Sequence, residues 1–100
     1  MVQQMNILVT YDVDTVSEKG QKRLRKVAQI CKDYGQRVQN SVFECDVTET
    51  QYLVLKEELK EAMDEELDSI RFYQLNKNKS HGLETIGRIT SYDYDEPIVL

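Results

Sequence analysis

The chain has no tryptophan, one proline, one histidine, two cysteines and four glycines in 100 residues. One histidine with the distant Cys31 and Cys45 supplies too few donors for a structural zinc site, and no CxxC pair is present. The cysteines therefore read as buried free thiols, since free Cys packs as a small hydrophobe. No aliphatic run exceeds the length of Ile7-Leu8-Val9. That excludes a transmembrane helix or a signal-peptide apolar region, so no membrane partner is expected and the expected location is cytoplasmic. No repeat and no low-complexity tract interrupts the chain.

What is present is an ordinary globular composition, 40% hydrophobic and 31% charged. A chain of this length holds one core, so residues 1–100 are read as a single domain with residues from about 92 onward as a C-terminal tail. Such a domain buries about two-thirds of its unfolded surface. Without disulfides or zinc, oligomerisation is the expected source of further stability.

Thirteen basic and eighteen acidic residues give a net charge of -5, which argues against indiscriminate nucleic-acid binding. The charges are unevenly divided. Residues 1–43 carry seven basic and four acidic side chains, whereas 44–100 carry six and fourteen. A phosphate ligand is attracted to the first part and repelled by the second.

Residues 5–14 read as a strand, with Ile7, Val9, Tyr11 and Val13 alternating with Leu8, Thr10, Asp12 and Asp14. A buried strand that finishes in carboxylates needs its end to reach water or a metal. Thr15 with Glu18 forms a possible capping box, Ser17 being the alternative cap. A helix over about 18–34 follows, its inner stripe formed by Leu24, Val27, Ala28, Cys31 and Tyr34. Arg23, Arg25 and Lys26 fall off that stripe and are expected in solvent. Gly35 stands at a plausible C′ position.

Two short strands, about 36–40 and 42–47, flank a turn at Asn40-Ser41. Thr48 and Gln51 form a second capping box, opening a helix over about 49–65 with Tyr52, Leu55, Leu59 and Met63 inside. Residues 69–75 read as a strand and 76–82 as a polar turn. Residues 83–90 read as a short last strand. The order βαββαβ plus an extra C-terminal strand is α+β and ferredoxin-like, with two helices on one face of a four-stranded antiparallel sheet. The other face has no helix left to cover it, so a face-to-face homodimer is expected.

Two segments are more specific. Tyr11-Asp12-Val13 closes the first strand, and Gly35 to Cys45 (GQRVQNSVFEC) spans the central hairpin, with the basic helix between them. Together they resemble the small CRISPR-associated adaptation endonuclease family, and the resemblance extends through the Asp68–Leu75 strand. It implies a ferredoxin-like homodimer that hydrolyses phosphodiester bonds with a divalent metal. It also implies work beside the CRISPR integrase during spacer acquisition. The strand-end aspartate of the family's Tyr-Asp motif, its metal ligand and catalytic residue, falls on Asp12. Tyr11 and the Ser-x-Phe-Glu element, Ser41, Phe43 and Glu44, are supporting residues. The acidic total fits a duplex-DNA protein poorly and is partly relieved by the uneven charge.

Magnesium, with manganese as the alternative, takes one or two carboxylates and keeps several waters. A single Asp12 is a thin site, and two copies facing across a two-fold axis give one ion two carboxylates. Read from pattern alone, Asp12 is equally a strand-end residue bonding a nearby turn, and Asp14 a complement to the helix dipole. Ser41 reads as a turn residue, having no identifiable base beside it. Phe43 reads as a packing residue that could brace Asp12 or touch a base, and Glu44 as an acceptor for Arg37 or as a group that supports the metal's ligands from outside. Arg23, Arg25, Lys26 and Arg37 are the candidate phosphate contacts, which position nucleic acid without reading its sequence.

Two functions follow from these residues. One is a metal-dependent endonuclease acting on double-stranded DNA or single-stranded RNA. The other is a non-catalytic scaffold that holds duplex DNA in the integrase complex, with Pro97-Ile98-Val99-Leu100 adding an edge strand to another chain.

Overall fold

The computed structural model describes residues 4–75 and 83–87. The elements run β1 (Gln4–Asp12), α1 (Glu18–Tyr34), β2 (Gly35–Gln39), β3 (Val42–Thr48), α2 (Glu49–Ala62), β4 (Ser69–Gln74) and β5 (Leu83–Gly87). The strands form one sheet in the order β2-β3-β1-β4-β5, with every neighbouring pair antiparallel. This is the expected α+β, ferredoxin-like arrangement, with β5 added beside β4. The polar turn at 76–82, with His81, and the tail from about 92 lie outside the described residues. Among the described residues no helix is long and apolar enough to cross a membrane.

Alternation along the strands decides which side chains meet the helices. Ile7, Val9 and Tyr11 of β1, Phe43, Cys45 and Val47 of β3, and Ile70 and Phe72 of β4 join one buried cluster. Val27, Ile30 and Cys31 of α1 and Tyr52, Leu55 and Leu59 of α2 complete it, and Met63 closes the end of α2. The rings of Phe72 and Tyr52 meet edge to face at 5.7 Å. Cross-strand register sends the other set to the helix-free face: Leu8 lies opposite Glu44 and Tyr73, and Thr10 opposite Val42 and Arg71. That face is therefore mixed in polarity.

Both helices begin on side-chain caps. Ser17, not Thr15, caps α1: its Oγ accepts from the Gly20 amide at 3.1 Å. At α2 the reciprocal capping box forms as expected, Gln51 N to Thr48 Oγ1 at 3.2 Å and Thr48 N to Gln51 Oε1 at 2.8 Å. The second helix stops at Ala62, short of residue 65, because Asp64 organises the following turn, its Oδ1 accepting from the amide of Glu66 at 2.9 Å.

Gly35 does not end α1 in a left-handed cap. Its φ of -165° and ψ of -158° are extended, and it is already the first residue of β2. The glycine is needed for space, since a Cβ there would collide with the Glu44 carbonyl oxygen and the Cys45 sulfur. Arg23 also departs from expectation. It turns inward from the basic run of α1, its side chain only 17% exposed.

Candidate active site

Asp12 is the last residue of β1, the central strand, and is exposed. Its register partner is Ser69, the first residue of β4. It shares the helix-free face with Thr10 and Leu8, because alternate residues of a strand point the same way. Val13 and Asp14, expected to prolong the strand, leave the sheet. The Asp14 amide donates to Asp68 Oδ1 at 2.9 Å instead of to a neighbouring strand.

The hairpin turn packs against this end of β1. The Tyr11 amide donates to the Ser41 carbonyl oxygen at 3.1 Å, and the Tyr11 hydroxyl lies 3.4 Å from the Asn40 carbonyl oxygen. The rings of Tyr11 and Phe43 stack at 6.1 Å, and the Arg37 guanidinium lies 5.1 Å from the Phe43 centroid. Burial raises the Tyr11 phenol, and a hydrogen bond from Arg37 partly opposes the shift. Tyr11, Arg37, Ser41 and Phe43 thus form one cluster around the end of the strand that carries Asp12. Phe43 is fully buried and offers no surface to a base. Ser41 acts through its backbone, consistent with a turn residue.

Glu44 does not join them. It is exposed and lies opposite Leu8, four residues before Asp12, which is about 13 Å along the strand. It also occupies the face away from Arg37, whose register partner is Phe43. The expected Arg37–Glu44 hydrogen bond is thereby ruled out. Among the described residues, no group of three or more His, Cys, Asp or Glu side chains could hold a metal ion. Asp12 is the exposed carboxylate at the end of β1 among the described residues.

The basic candidates have different surroundings. Arg25 is exposed on α1. Lys26 lines a groove that also holds Asp33, Glu58 and Glu61. Arg37 sits on the edge strand over Phe43. The Arg23 guanidinium is already bound: Nε lies 2.8 Å from Asp68 Oδ2, and Nη2 lies 3.2 Å from Oδ1.

Asp68 itself escaped the sequence reading. It is fully buried, and besides Arg23 it accepts from the amides of Asp14 and Asp64, each at 2.9 Å. Burial alone pushes this carboxyl up, but the hydrogen bonds from Arg23 and from the Asp64 and Asp14 amides together outweigh it and hold the group below its ordinary value. The available signal was an acidic residue directly before a strand with the apolar Ile70 and Phe72.

Residues 5–81 match the family described as CRISPR associated protein Cas2. A CRISPR-associated endoribonuclease Cas2 of Moorella thermoacetica is 52% identical over 96 residues, covering 96% of this chain and 100% of that protein. A CRISPR-associated endonuclease Cas2 of Halalkalibacterium halodurans is 54% identical over 95 residues, covering 95% and 99%. The crystal structure of Streptococcus pyogenes Cas2 at pH 6.5 superposes with a TM-score of 0.69 at 59% identity, over 74% of this chain and 89% of that one.

Proposed function

The chain belongs to the Cas2 family of CRISPR-associated proteins, and from that premise we propose that it is a metal-dependent endonuclease of CRISPR spacer acquisition. It cleaves double-stranded DNA or single-stranded RNA as a homodimer in the cytoplasm, and the dimer also bridges the CRISPR integrase. The names of the relatives, one an endoribonuclease and one an endonuclease, support nuclease chemistry. The observation that carries the reading is Asp12, an exposed carboxylate at the end of the central strand on the face that no helix covers.

Magnesium or manganese supplies Lewis acidity and a water of lowered pKa when bound. Asp12 would give such an ion one carboxylate, and a second copy meeting the helix-free face would give another. Asp12 holds and orients. Tyr11, Ser41 and Phe43 fix the strand end from which it projects. Arg25, Lys26 and Arg37 hold phosphates, while Arg23 is engaged with Asp68 and serves the fold first. Backbone phosphates carry no base identity, so sequence preference is low.

Cleavage of duplex DNA and of single-stranded RNA by the wild type and Asp12→Asn, across a magnesium titration, tests the reading. Loss of cleavage in the variant is expected, and equal cleavage by the two proteins overturns it. A second reading, the non-catalytic scaffold, is favoured by the absence, among the described residues, of a group of three or more His, Cys, Asp or Glu side chains that could hold a metal ion. It is separated by spacer acquisition: Asp12→Asn leaves acquisition intact if the protein serves the integrase only by holding DNA.

A further inference from the structure

We propose that Asp68 is the positioning residue for Asp12, acting with Arg23 through the backbone of the β1–α1 connection; the proposal rests on Asp12 as the metal-holding carboxylate. Asp68 controls both sides of that residue. Along the chain, its Oδ1 holds the amide of Asp14, two residues after Asp12, at 2.9 Å. Across the sheet, Asp68 immediately precedes Ser69, the residue that lies opposite Asp12. One buried carboxylate thus ties the exit of β1 to the entry of β4, and Asp12 projects from between the two.

The other contacts of the connection lead to the same pair. Arg23 reaches Asp68 with two nitrogens, and its Nη2 also lies 3.4 Å from the Asp14 carbonyl oxygen. The first turn of α1 comes so close to that carbonyl that only glycine fits at position 20; a Cβ there would overlap the Asp14 oxygen. Asp14 Oδ1 accepts from the Val16 amide at 3.0 Å, which closes the turn. Asp68 Oδ2 takes the Asp64 amide at 2.9 Å, so the α2–β4 connection is held by the same group.

A buried carboxylate with four hydrogen bonds and a paired guanidinium holds its neighbours in one arrangement. A displacement of about 1 Å at a reacting group can cost on the order of a hundredfold in rate. Asp68 touches neither metal nor nucleic acid in this scheme. Its effect reaches the reaction through Asp12.

The test compares the wild type with Asp68→Asn, Arg23→Gln, Arg23→Lys and Asp12→Asn. Two quantities are read on each full-length protein at 25 °C, where circular dichroism shows it folded: the magnesium or manganese dissociation constant from calorimetric titration, and the concentration giving half-maximal cleavage. Folding is checked first because a smaller folded fraction would itself weaken the apparent affinity. We expect Asp68→Asn and Arg23→Gln to raise both about tenfold, Arg23→Lys to restore most of the loss, and Asp12→Asn to abolish the metal response. Unmoved values in Asp68→Asn and Arg23→Gln, with the response lost in Asp12→Asn, overturn the positioning role and leave the role of Asp12 standing. An intact response in Asp12→Asn removes the metal reading of Asp12, and this proposal with it. Should Asp68→Asn fail to fold, Arg23→Gln decides, because it keeps both amide bonds of Asp68.

Discussion

Arg23 and Asp68, 45 residues apart in the chain, form a two-pronged ion pair, with Nε 2.8 Å from Oδ2 and Nη2 3.2 Å from Oδ1. The pair joins the second turn of α1 to the start of β4, and it takes one arginine out of a run that otherwise faces solvent. Of the basic run at 22–26, Arg23 is thus assigned to the fold, and Lys22, Arg25 and Lys26 remain exposed.

The pair makes stability depend on acid. The Asp68 carboxyl is held below its ordinary value of 3.8. A group whose pKa is depressed on folding stabilises the native state at pH above its unfolded value, and that stabilisation is lost as the pH falls through the folded value. Asp68→Asn is therefore expected to melt about 5–10 °C below the wild type at pH 7. The gap narrows as the pH falls from 3.8 toward 2. Calorimetric melts across that range check the sign.

Nucleic-acid binding is expected to weaken steeply with salt, with a log–log slope near −0.9 for each phosphate neutralised on a duplex. Arg25→Gln lowers the magnitude of the slope by about one. Lys26→Gln changes it less, because Asp33, Glu58 and Glu61 share its groove. Shift assays at several salt concentrations measure this, and a flat dependence in the wild type leaves the basic helix without a ligand.

Cys31 and Cys45 are expected to resist alkylation while the protein is folded. Both are free and buried, and burial pushes the Cys31 thiol up to about 12 and the Cys45 thiol up to about 11. Thiolate, the reacting form, is scarce at pH 8. Thiol titration is expected to find neither group reactive before denaturant is added and both reactive afterwards.

The helix-to-sheet layer sets the stability of the whole. Leu59→Ala removes a fully buried side chain of α2 and is expected to cost about 2–5 kcal/mol. Thr48→Ala removes one half of the capping box and costs about 1 kcal/mol. Urea melts distinguish the two by magnitude.

Most element boundaries were legible because they rest on local physics. The Thr48–Gln51 box and the Tyr52, Leu55, Leu59 and Met63 stripe needed only spacing to be read, and Asn40-Ser41 only turn chemistry. The end of α1 at Tyr34 was read correctly, but the role of Gly35 was not, because its purpose is not local: the space it leaves is occupied by Glu44 and Cys45 on the next strand. Ser17 against Thr15 was open for a related reason, since both are good caps and the choice depends on where the chain leaves β1.

At the site, the Tyr11-Asp12 end of a strand and the hairpin beside it could be recognised from the residues themselves. Their assembly could not, because whether Phe43 is surface or core depends on Tyr11, Arg37 and the helix layer together. Glu44 was placed beside Arg37 by proximity in sequence, yet strand alternation and register put it on the other face, opposite Leu8.

By itself the sequence determined the order of elements, the two helix stripes, the central hairpin and the acidic end of the first strand, all of which follow from periodicity and capping within a few residues. Only the tertiary structure decided that Arg23 belongs to Asp68, that Asp68 organises the turn after Asp12, and that Arg23 leaves the exposed basic run. Those outcomes depend on which distant groups are buried together, where a charge must find its partner, and no local pattern encodes that meeting.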